Sequence, residues 1–124
     1  MILLDTWAWI EYFSEDRKSE KVKEIVENEE CYTCAISIAE IAKWCVQNGK
    51  QSDEHINMIK KDSTIIQVDE KLLQIAGSNY PEIRKLSKDI GMIDVIIFTS
   101  AAMHGLELVT GDPDFKDLPN VTLI

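Results

Sequence analysis

The opening stretch Met1-Ile2-Leu3-Leu4-Asp5-Thr6-Trp7-Ala8-Trp9-Ile10 indicates how the chain folds. The aliphatic run at residues 2–4 is typical of a buried strand, and a helical pattern follows over residues 6–13. Asp5 interrupts the apolar run at its buried end, where a charge without a partner is costly. This carboxylate is therefore difficult to explain as an ordinary surface residue.

Short strands and helices alternate along the rest of the chain. Further strands are predicted at residues 31–35, 64–68, 107–109 and 121–123. Further helices are predicted at residues 16–28, 37–48, 52–60 and 92–104. The helix that begins near Asp69 is expected to break around Gly77, before Pro81, and to resume as far as Lys88. Because this alternation requires crossover connections, we expect a three-layer α/β/α fold with a mostly parallel central sheet of four to five strands.

Composition narrows the class of protein. The 124 residues include 22 Asp and Glu against 13 Lys and Arg, a formal net charge of −9, and 45% are hydrophobic. This usage is ordinary for globular proteins, and the length suits a single domain over residues 1–124. The acidic balance disfavours nucleic-acid binding that is driven by bulk charge. Three cysteines, no secretory signal and no long apolar run predict a cytoplasmic protein that does not associate with membranes.

Four acids are predicted to lie at one edge of the sheet, where strands end or helices begin: Asp5, Glu40, Asp94 and Asp112. Ligands of parallel α/β sheets bind outside the carboxyl ends of the strands. Like charges gathered there raise one another's pKa values unless a cation neutralises them. Mg²⁺ and Mn²⁺ prefer oxygen ligands, whereas two histidines and no paired-cysteine motif argue against zinc. The pattern therefore indicates a site for a divalent cation.

Each of these acids, taken singly, also has a structural interpretation. Ser37 and Glu40 match the S-x-x-E capping box of a helix start, which needs no metal. Asp94 is also consistent with a first-turn acid that the helix dipole favours. Asp112 is equally consistent with a residue that caps a turn. The four acids together are more informative than any one of them.

Other chemically suggestive residues are expected to have structural roles. Cys31 and Cys34 have C-x-x-C spacing, but residues three apart on a strand point to opposite faces of the sheet. The tryptophans Trp7, Trp9 and Trp44 do not resemble a series that stacks nucleic-acid bases, and we expect them to pack within the protein. No thiol pair or aromatic series is therefore predicted to carry the function.

Four segments resemble the motifs of PIN-domain proteins and occur in the expected order. They are residues 2–10, Ser37-Ile38-Ala39-Glu40-Ile41, Asp94-Val95-Ile96-Ile97 with Ala101, and Thr110-Gly111-Asp112-Pro113-Asp114-Phe115. The short form is most similar to VapC-type ribonuclease toxins of type II toxin–antitoxin systems. One departure is the third segment, which carries Ile97, Phe98 and Thr99 where many relatives are rich in alanine.

The resemblance implies metal-dependent hydrolysis of RNA phosphodiester bonds. Asp5, Asp94 and Asp112 would hold one or two Mg²⁺ or Mn²⁺ ions, and Glu40 would be a further ligand or would orient the attacking water. The residues expected to orient these four catalytic and metal-binding acids are Thr110, Asp114 and Ser37. Phe115 is expected to anchor the last motif in the core.

The resemblance also implies partners and leaves alternatives open. An RNA substrate, a cognate antitoxin that occupies the cleft, and a homodimer are the expected partners. A non-catalytic PIN-like module that binds RNA or protein is one alternative, and a PIN nuclease of RNA processing or decay is another. A phosphatase with a nucleophilic aspartate ordinarily has a second acid two positions after that aspartate. Trp7 is at this position after Asp5, which argues against a phosphatase. No glycine-rich turn follows the first strand, which excludes a dinucleotide-binding fold.

Overall fold

A computed structural model describes residues 1–124 as a five-stranded sheet with helices on both faces. The strands are β1 (Ile2–Leu4), β2 (Cys31–Cys34), β3 (Thr64–Ile66), β4 (Glu107–Thr110) and β5 (Val121–Leu123). The helices are α1 (Thr6–Ser14), α2 (Ser19–Asn28), α3 (Ile36–Gln47), α4 (Ser52–Asp62), α5 (Glu70–Leu86) and α6 (Met92–Met103), and a 3-10 turn spans Pro113–Phe115. The predicted three-layer architecture with a parallel sheet is confirmed.

The strand order β3-β2-β1-β4-β5 places β1 at the centre of the sheet. Every neighbouring pair of strands is parallel, and Leu4 of β1 lies beside Val109 of β4. The chain moves outward from β1 through β2 to β3 and then crosses to the other side of β1 for β4 and β5. The order of the strands therefore reverses between β1 and β4, and a crevice for ligands is expected where their carboxyl ends meet.

The two faces of the sheet carry two separate apolar layers. Side chains alternate along β1, so Ile2 and Leu4 pack with α1, α3 and α4, whereas Leu3 packs with α5 and α6. Cys31 belongs to the first layer and Cys34 to the second, as their spacing predicts. Both thiols are buried and free. The cysteines are therefore part of the core and do not form a pair.

The layer that contains α5 and α6 is built around an almost wholly apolar helix. In α6, buried side chains cover most of the helix circumference, and the bulky Ile97 and Thr99 are among them. Phe115 is fully buried in the same layer, as predicted, and anchors the turn after β4.

No helix of the structure combines the length and the apolar character that crossing a membrane requires.

Helix α5 runs unbroken from Glu70 to Leu86, so the predicted break around Gly77 is wrong. Leu72, Ala76 and Ile83 share the buried face of α5 and pack in the layer with α6. Gly77 faces open space and Pro81 is exposed. A proline inside a helix costs about 3 kcal/mol, and burial of each large aliphatic side chain contributes about 1.5–3 kcal/mol. The free energy gained by packing the buried face of α5 therefore exceeds the cost of placing Gly77 and Pro81 in the helix.

A hydrogen-bonded chain inside the first layer joins α1, β2 and α4. Trp9 is fully buried, and its Nε1 donates to Thr33 Oγ1 at 3.0 Å. Thr33 Oγ1 lies 2.7 Å from Ser63 Oγ, which in turn donates to the Ile59 carbonyl at 2.7 Å. Each polar side chain of this hydrogen-bonded chain thus has a partner, which avoids the cost of burying it unpaired.

We predict that Thr33→Val lowers the free energy of unfolding by about 1–3 kcal/mol, because it leaves the buried Trp9 Nε1 without an acceptor. Valine keeps the shape and the strand preference of threonine, so packing changes little. Urea unfolding measures the effect. Thr122→Val, on the exposed face of β5, is the matched control and is expected to change stability by less than about 0.5 kcal/mol. Equal effects of the two substitutions would contradict the assignment.

Candidate metal centre

Three carboxylates come together beyond the carboxyl end of β4. One oxygen from each of Asp94, Asp112 and Asp114 lies within 4.8 Å of the others, and all three side chains are half-buried. Asp94 belongs to the first turn of α6. Asp112 caps the 3-10 turn, since its Oδ1 accepts from the Asp114 backbone N–H at 2.9 Å. The start of α6 and the turn after β4 therefore bring these three acids to one place.

Asp5 lies at the end of β1 and is almost fully buried. Its Oδ1 accepts from the Ala8 backbone N–H at 2.9 Å and so caps α1. Its Oδ2 accepts from Thr110 Oγ1 at 2.5 Å, and Thr110 Oγ1 also accepts from the Asp112 backbone N–H at 3.0 Å. The partners of this buried carboxylate within the chain are thus a backbone N–H and a hydroxyl group rather than a cationic side chain. Thr110 connects Asp5 to the loop that carries Asp112.

Glu40 does not form the capping box that its spacing with Ser37 allows. Helix α3 begins at Ile36, its preceding residue makes no side-chain cap, and Ser37 is buried inside the first turn. Glu40 Oε1 instead accepts from Thr6 Oγ1 at 2.5 Å, and this hydroxyl oxygen lies 3.0 Å from Ser37 Oγ. The sequence analysis did not identify Thr6 as the partner of Glu40. Its position directly after Asp5 could have indicated that Thr6 lies at the site.

The acids of this region repel one another. Burial raises the pKa of Asp94 to about 6, with further contributions from the charges of Asp112 and Glu40. Burial likewise raises the pKa of Asp5 to about 7, although the hydrogen bonds from Thr110 and Ala8 lower it. Burial, followed by the charge of Asp112, raises the pKa of Asp114. Opposite charges nearby would lower these pKa values, so the upward shifts indicate that no positive group of the chain offsets the effects of burial and repulsion here.

The salt bridges of the chain and the hydrogen bonds of its histidines do not involve these acids. The three salt bridges are Met1 N-terminus–Glu29, Lys23–Glu20 and Lys85–Glu82. His104 Nδ1 lies 2.9 Å from the Ser100 carbonyl, and His55 Nδ1 lies 2.7 Å from the Gln51 carbonyl. The donor set at the sheet edge consists of carboxylate oxygens, which suit a hard divalent cation such as Mg²⁺ or Mn²⁺.

Trp7 and Gly111 form a close contact at the border of the site, and sequence reasoning missed it. A Cβ atom on Gly111 would lie 2.1, 2.2 and 2.4 Å from three consecutive atoms of the Trp7 benzo ring. Distances this similar place the glycine against the face of the ring rather than its edge. Gly111 therefore lets the indole lie directly on the loop that carries Asp112.

A sequence profile of the PIN domain matches residues 2–121. The chain belongs to the PIN-domain family. The resemblance seen in the four sequence segments is confirmed, and three of the acids that these segments carry precede or begin elements at the same edge of the sheet. No curated protein sequence matches the chain.

Solved structures of toxins share this PIN fold. The sarcin–ricin-loop-cleaving toxin VapC20 of Mycobacterium tuberculosis has a TM-score of 0.83 at 14% identity, with 98% of this chain and 97% of that chain covered. A toxin–antitoxin complex from Klebsiella pneumoniae has a TM-score of 0.79 at 22% identity, covering 98% and 96%. VapBC2 of Rickettsia felis, bound to a promoter DNA fragment, has a TM-score of 0.76 at 22% identity, covering 100% and 98%. At these identities the likeness establishes the fold.

We predict that the metal-free PIN domain loses stability between about pH 4 and about pH 7 because the folded state holds a proton on Asp5 that the unfolded chain releases. Asp5→Asn removes the contribution of this proton to the pH dependence of the free energy of unfolding. The variant should therefore gain stability relative to the parent as pH rises, by on the order of 4 kcal/mol between about pH 4 and about pH 8. Urea unfolding in EDTA across this range measures the difference. Asp117→Asn, an exposed acid of the following loop, is the control and should give a flat difference. Parallel curves for the parent and Asp5→Asn would contradict the prediction.

We predict that Gly111→Ala displaces the Trp7 ring, because a methyl group cannot occupy space only 2.1 Å from a ring atom. The expected cost is about 1–3 kcal/mol, as for other overpacked positions, with a red-shifted tryptophan emission. Thermal unfolding and fluorescence spectra measure both effects. Gly77→Ala, at an open helical position, should be neutral or stabilising by about 1 kcal/mol. An unchanged emission spectrum in Gly111→Ala would show that the contact is not maintained in solution.

Proposed function

We propose that this PIN domain is a metal-dependent endoribonuclease that hydrolyses RNA phosphodiester bonds. The observation that carries the proposal is the group of Asp94, Asp112 and Asp114, whose oxygens lie within 4.8 Å of one another. No salt bridge of the chain reaches this group. Concentrated negative charge without a protein cation is destabilising, and a bound divalent cation relieves it.

The proposed ligands follow from the positions of the acids. Asp5, Asp94 and Asp112 would hold Mg²⁺ or Mn²⁺, and we add Asp114 because its oxygen belongs to the same group. Glu40 would be a further ligand or would orient the attacking water. A bound ion of this kind lowers the pKa of coordinated water and stabilises the leaving oxygen of an in-line displacement. Thr110 holds Asp5 and the Asp112 backbone at the same time, so it would orient two of the ligands.

Glu40 and Asp5 have different proposed tasks. Glu40 Oε1 is held by Thr6, which leaves Oε2 to accept a hydrogen bond from the attacking water. Burial raises the pKa of Asp5 to about 7, so Asp5 holds a proton near neutral pH in the metal-free protein. We expect metal binding to release this proton, because a coordinating carboxylate must be ionised. Ser37 lies beside Thr6 and would fix the orientation of its hydroxyl group.

We propose that the nuclease is the toxin of a toxin–antitoxin pair. The similar structures include a toxin–antitoxin complex and a VapBC2 assembly, which supports an antitoxin as partner. The large apolar side chains Met92 and Ile93 are exposed directly before Asp94, and Leu86 is exposed at the end of α5. Such a rim beside an acidic cleft suits a protein that covers the site with apolar contacts and a basic side chain. A homodimer, proposed from the resemblance alone, is tested by sedimentation of the purified chain.

We predict that the purified chain cleaves fluorescent single-stranded RNA with Mg²⁺ or Mn²⁺ and that EDTA abolishes the cleavage. Asp112→Asn should lower the rate by about a hundredfold or more, since it removes a ligand charge at the site where charge develops. Asp117→Asn, five positions further along the same loop, is exposed and should cleave like the parent. Circular dichroism confirms that each variant is folded.

Three outcomes would count against the proposal. Equal cleavage by Asp112→Asn and the parent would indicate a contaminating ribonuclease or another active site. A folded, antitoxin-free parent that binds RNA without cleaving it would favour the non-catalytic module. Cleavage without growth arrest on expression would retain the nuclease and assign it to RNA processing or decay rather than to a toxin.

A further inference from the structure

The indole of Trp7 is a part of the site region that the proposed chemistry does not use. Helix α1 carries two tryptophans, and Trp9 is fully buried with its Nε1 donating to Thr33. Trp7 is only half-buried, and its Nε1 has no hydrogen-bond partner within the chain. Its ring lies on Gly111, the residue directly before Asp112. A large aromatic surface thus borders the acidic cluster and remains partly open to solvent.

A cation accompanies this ring. Lys18, at the start of α2, is exposed, and its Nζ lies 5.3 Å from the centroid of the Trp7 ring. Lys18 makes no salt bridge, and its ammonium group is held by a weak cation–π contact with the exposed side of the ring and by the nearby charges of Glu11 and Asp16. An interaction this weak allows the ammonium group to move to a phosphate when one arrives.

We propose that Trp7 is a stacking platform for a base of single-stranded RNA, and that Lys18 contacts a phosphate of the same strand. This inference rests on the proposed function, since it names how the same site holds its substrate. Every nucleobase has a π face that stacks on an indole, and this contact does not depend on sequence. Lysine contributes to phosphate binding through its charge.

The net charge of the chain makes such a platform useful. With a net charge of −9, the protein as a whole repels a polyanion, so long-range electrostatic attraction contributes little affinity. Base stacking is not a charge–charge interaction and is only weakly opposed by the acidic surface. One face of the ring lies on Gly111, so the base would stack on the opposite face, with the ring between the base and the loop that carries Asp112. This would hold the strand beside the acids, where the phosphate to be cleaved is expected.

Trp44 provides an internal comparison. It is also half-buried and also has a lysine nearby, Lys50, with Nζ 5.6 Å from the ring centroid. However, its ring stacks on Phe13, with centroids 6.4 Å apart, and its edge contacts include His55. Trp7 and Trp44 both pack against the first apolar layer, but the ring of Trp44 contacts other aromatic rings and not the loop that carries Asp112. It is therefore the matched control for Trp7.

The test compares binding of oligoadenylate with binding of the matching abasic ribose-phosphate oligomer, using fluorescence anisotropy. All proteins carry Asp94→Asn, so that the RNA stays intact. Trp7→Leu should weaken oligoadenylate binding about tenfold and leave the abasic oligomer unchanged, as expected for the loss of one stacked base. Trp7→Phe should retain most of the preference. Lys18→Gln should weaken both oligomers equally and reduce the salt dependence of binding. Trp44→Phe should change neither.

Two results would overturn the platform. One is an unchanged preference for oligoadenylate in folded Trp7→Leu, and the other is an equal loss for both oligomers, which would indicate a structural role in holding the loop. Cleavage assays with Asp94 restored separate this failure from failure of the proposed function. If the parent cleaves RNA while either of these results is found, only the platform is rejected. If the parent neither binds nor cleaves RNA, both proposals are rejected.

Discussion

The hydrogen bond from Thr110 Oγ1 to Asp5 Oδ2 joins the ends of the two strands between which the sheet reverses its order. Residues 105 apart in sequence meet here in a buried environment. The same threonine oxygen accepts from the Asp112 backbone N–H, and the other Asp5 oxygen caps α1. The end of β1, the start of α1 and the loop after β4 therefore depend on one buried carboxylate and its hydroxyl partner.

The acids at the edge of the sheet destabilise the folded chain, because they are partly or fully buried close to one another. Burial and mutual repulsion raise the pKa values of Asp5, Asp94 and Asp114, so ionising these groups costs free energy in the folded state. The rest of the molecule offsets this cost with two apolar layers and with fully paired polar groups such as Trp9 and Thr33. Perturbed pKa values that cluster in this way are typical of functional sites, whereas structural acids are normally paired.

The two tryptophans of α1 show how neighbouring residues of one type acquire different environments. Trp9 faces the sheet and contributes to the first apolar layer, with its N–H satisfied by Thr33. Trp7 faces the loop after β4, and the missing side chain of Gly111 lets its ring lie against the backbone there. Helix α1 thus connects the core to the rim of the acidic cluster. We expect that a displacement of Trp9 in the core shifts Trp7 at the rim, and the reverse.

The sequence by itself determined the alternation of strands and helices, the parallel sheet and the gathering of acids at the ends of strands. Those features follow from local periodicity and from the rule that parallel strands end at a common edge. The continuity of α5 across Gly77 depended on tertiary packing, because burial of Leu72 and Ile83 outweighs a local breaking signal. The partners of Glu40, the place of Asp114 within 4.8 Å of Asp94 and Asp112, and the contact of Trp7 with Gly111 were likewise decided by tertiary structure. Each of these contacts joins residues from separate elements, and their distances depend on how helices pack on the sheet rather than on spacing along the chain.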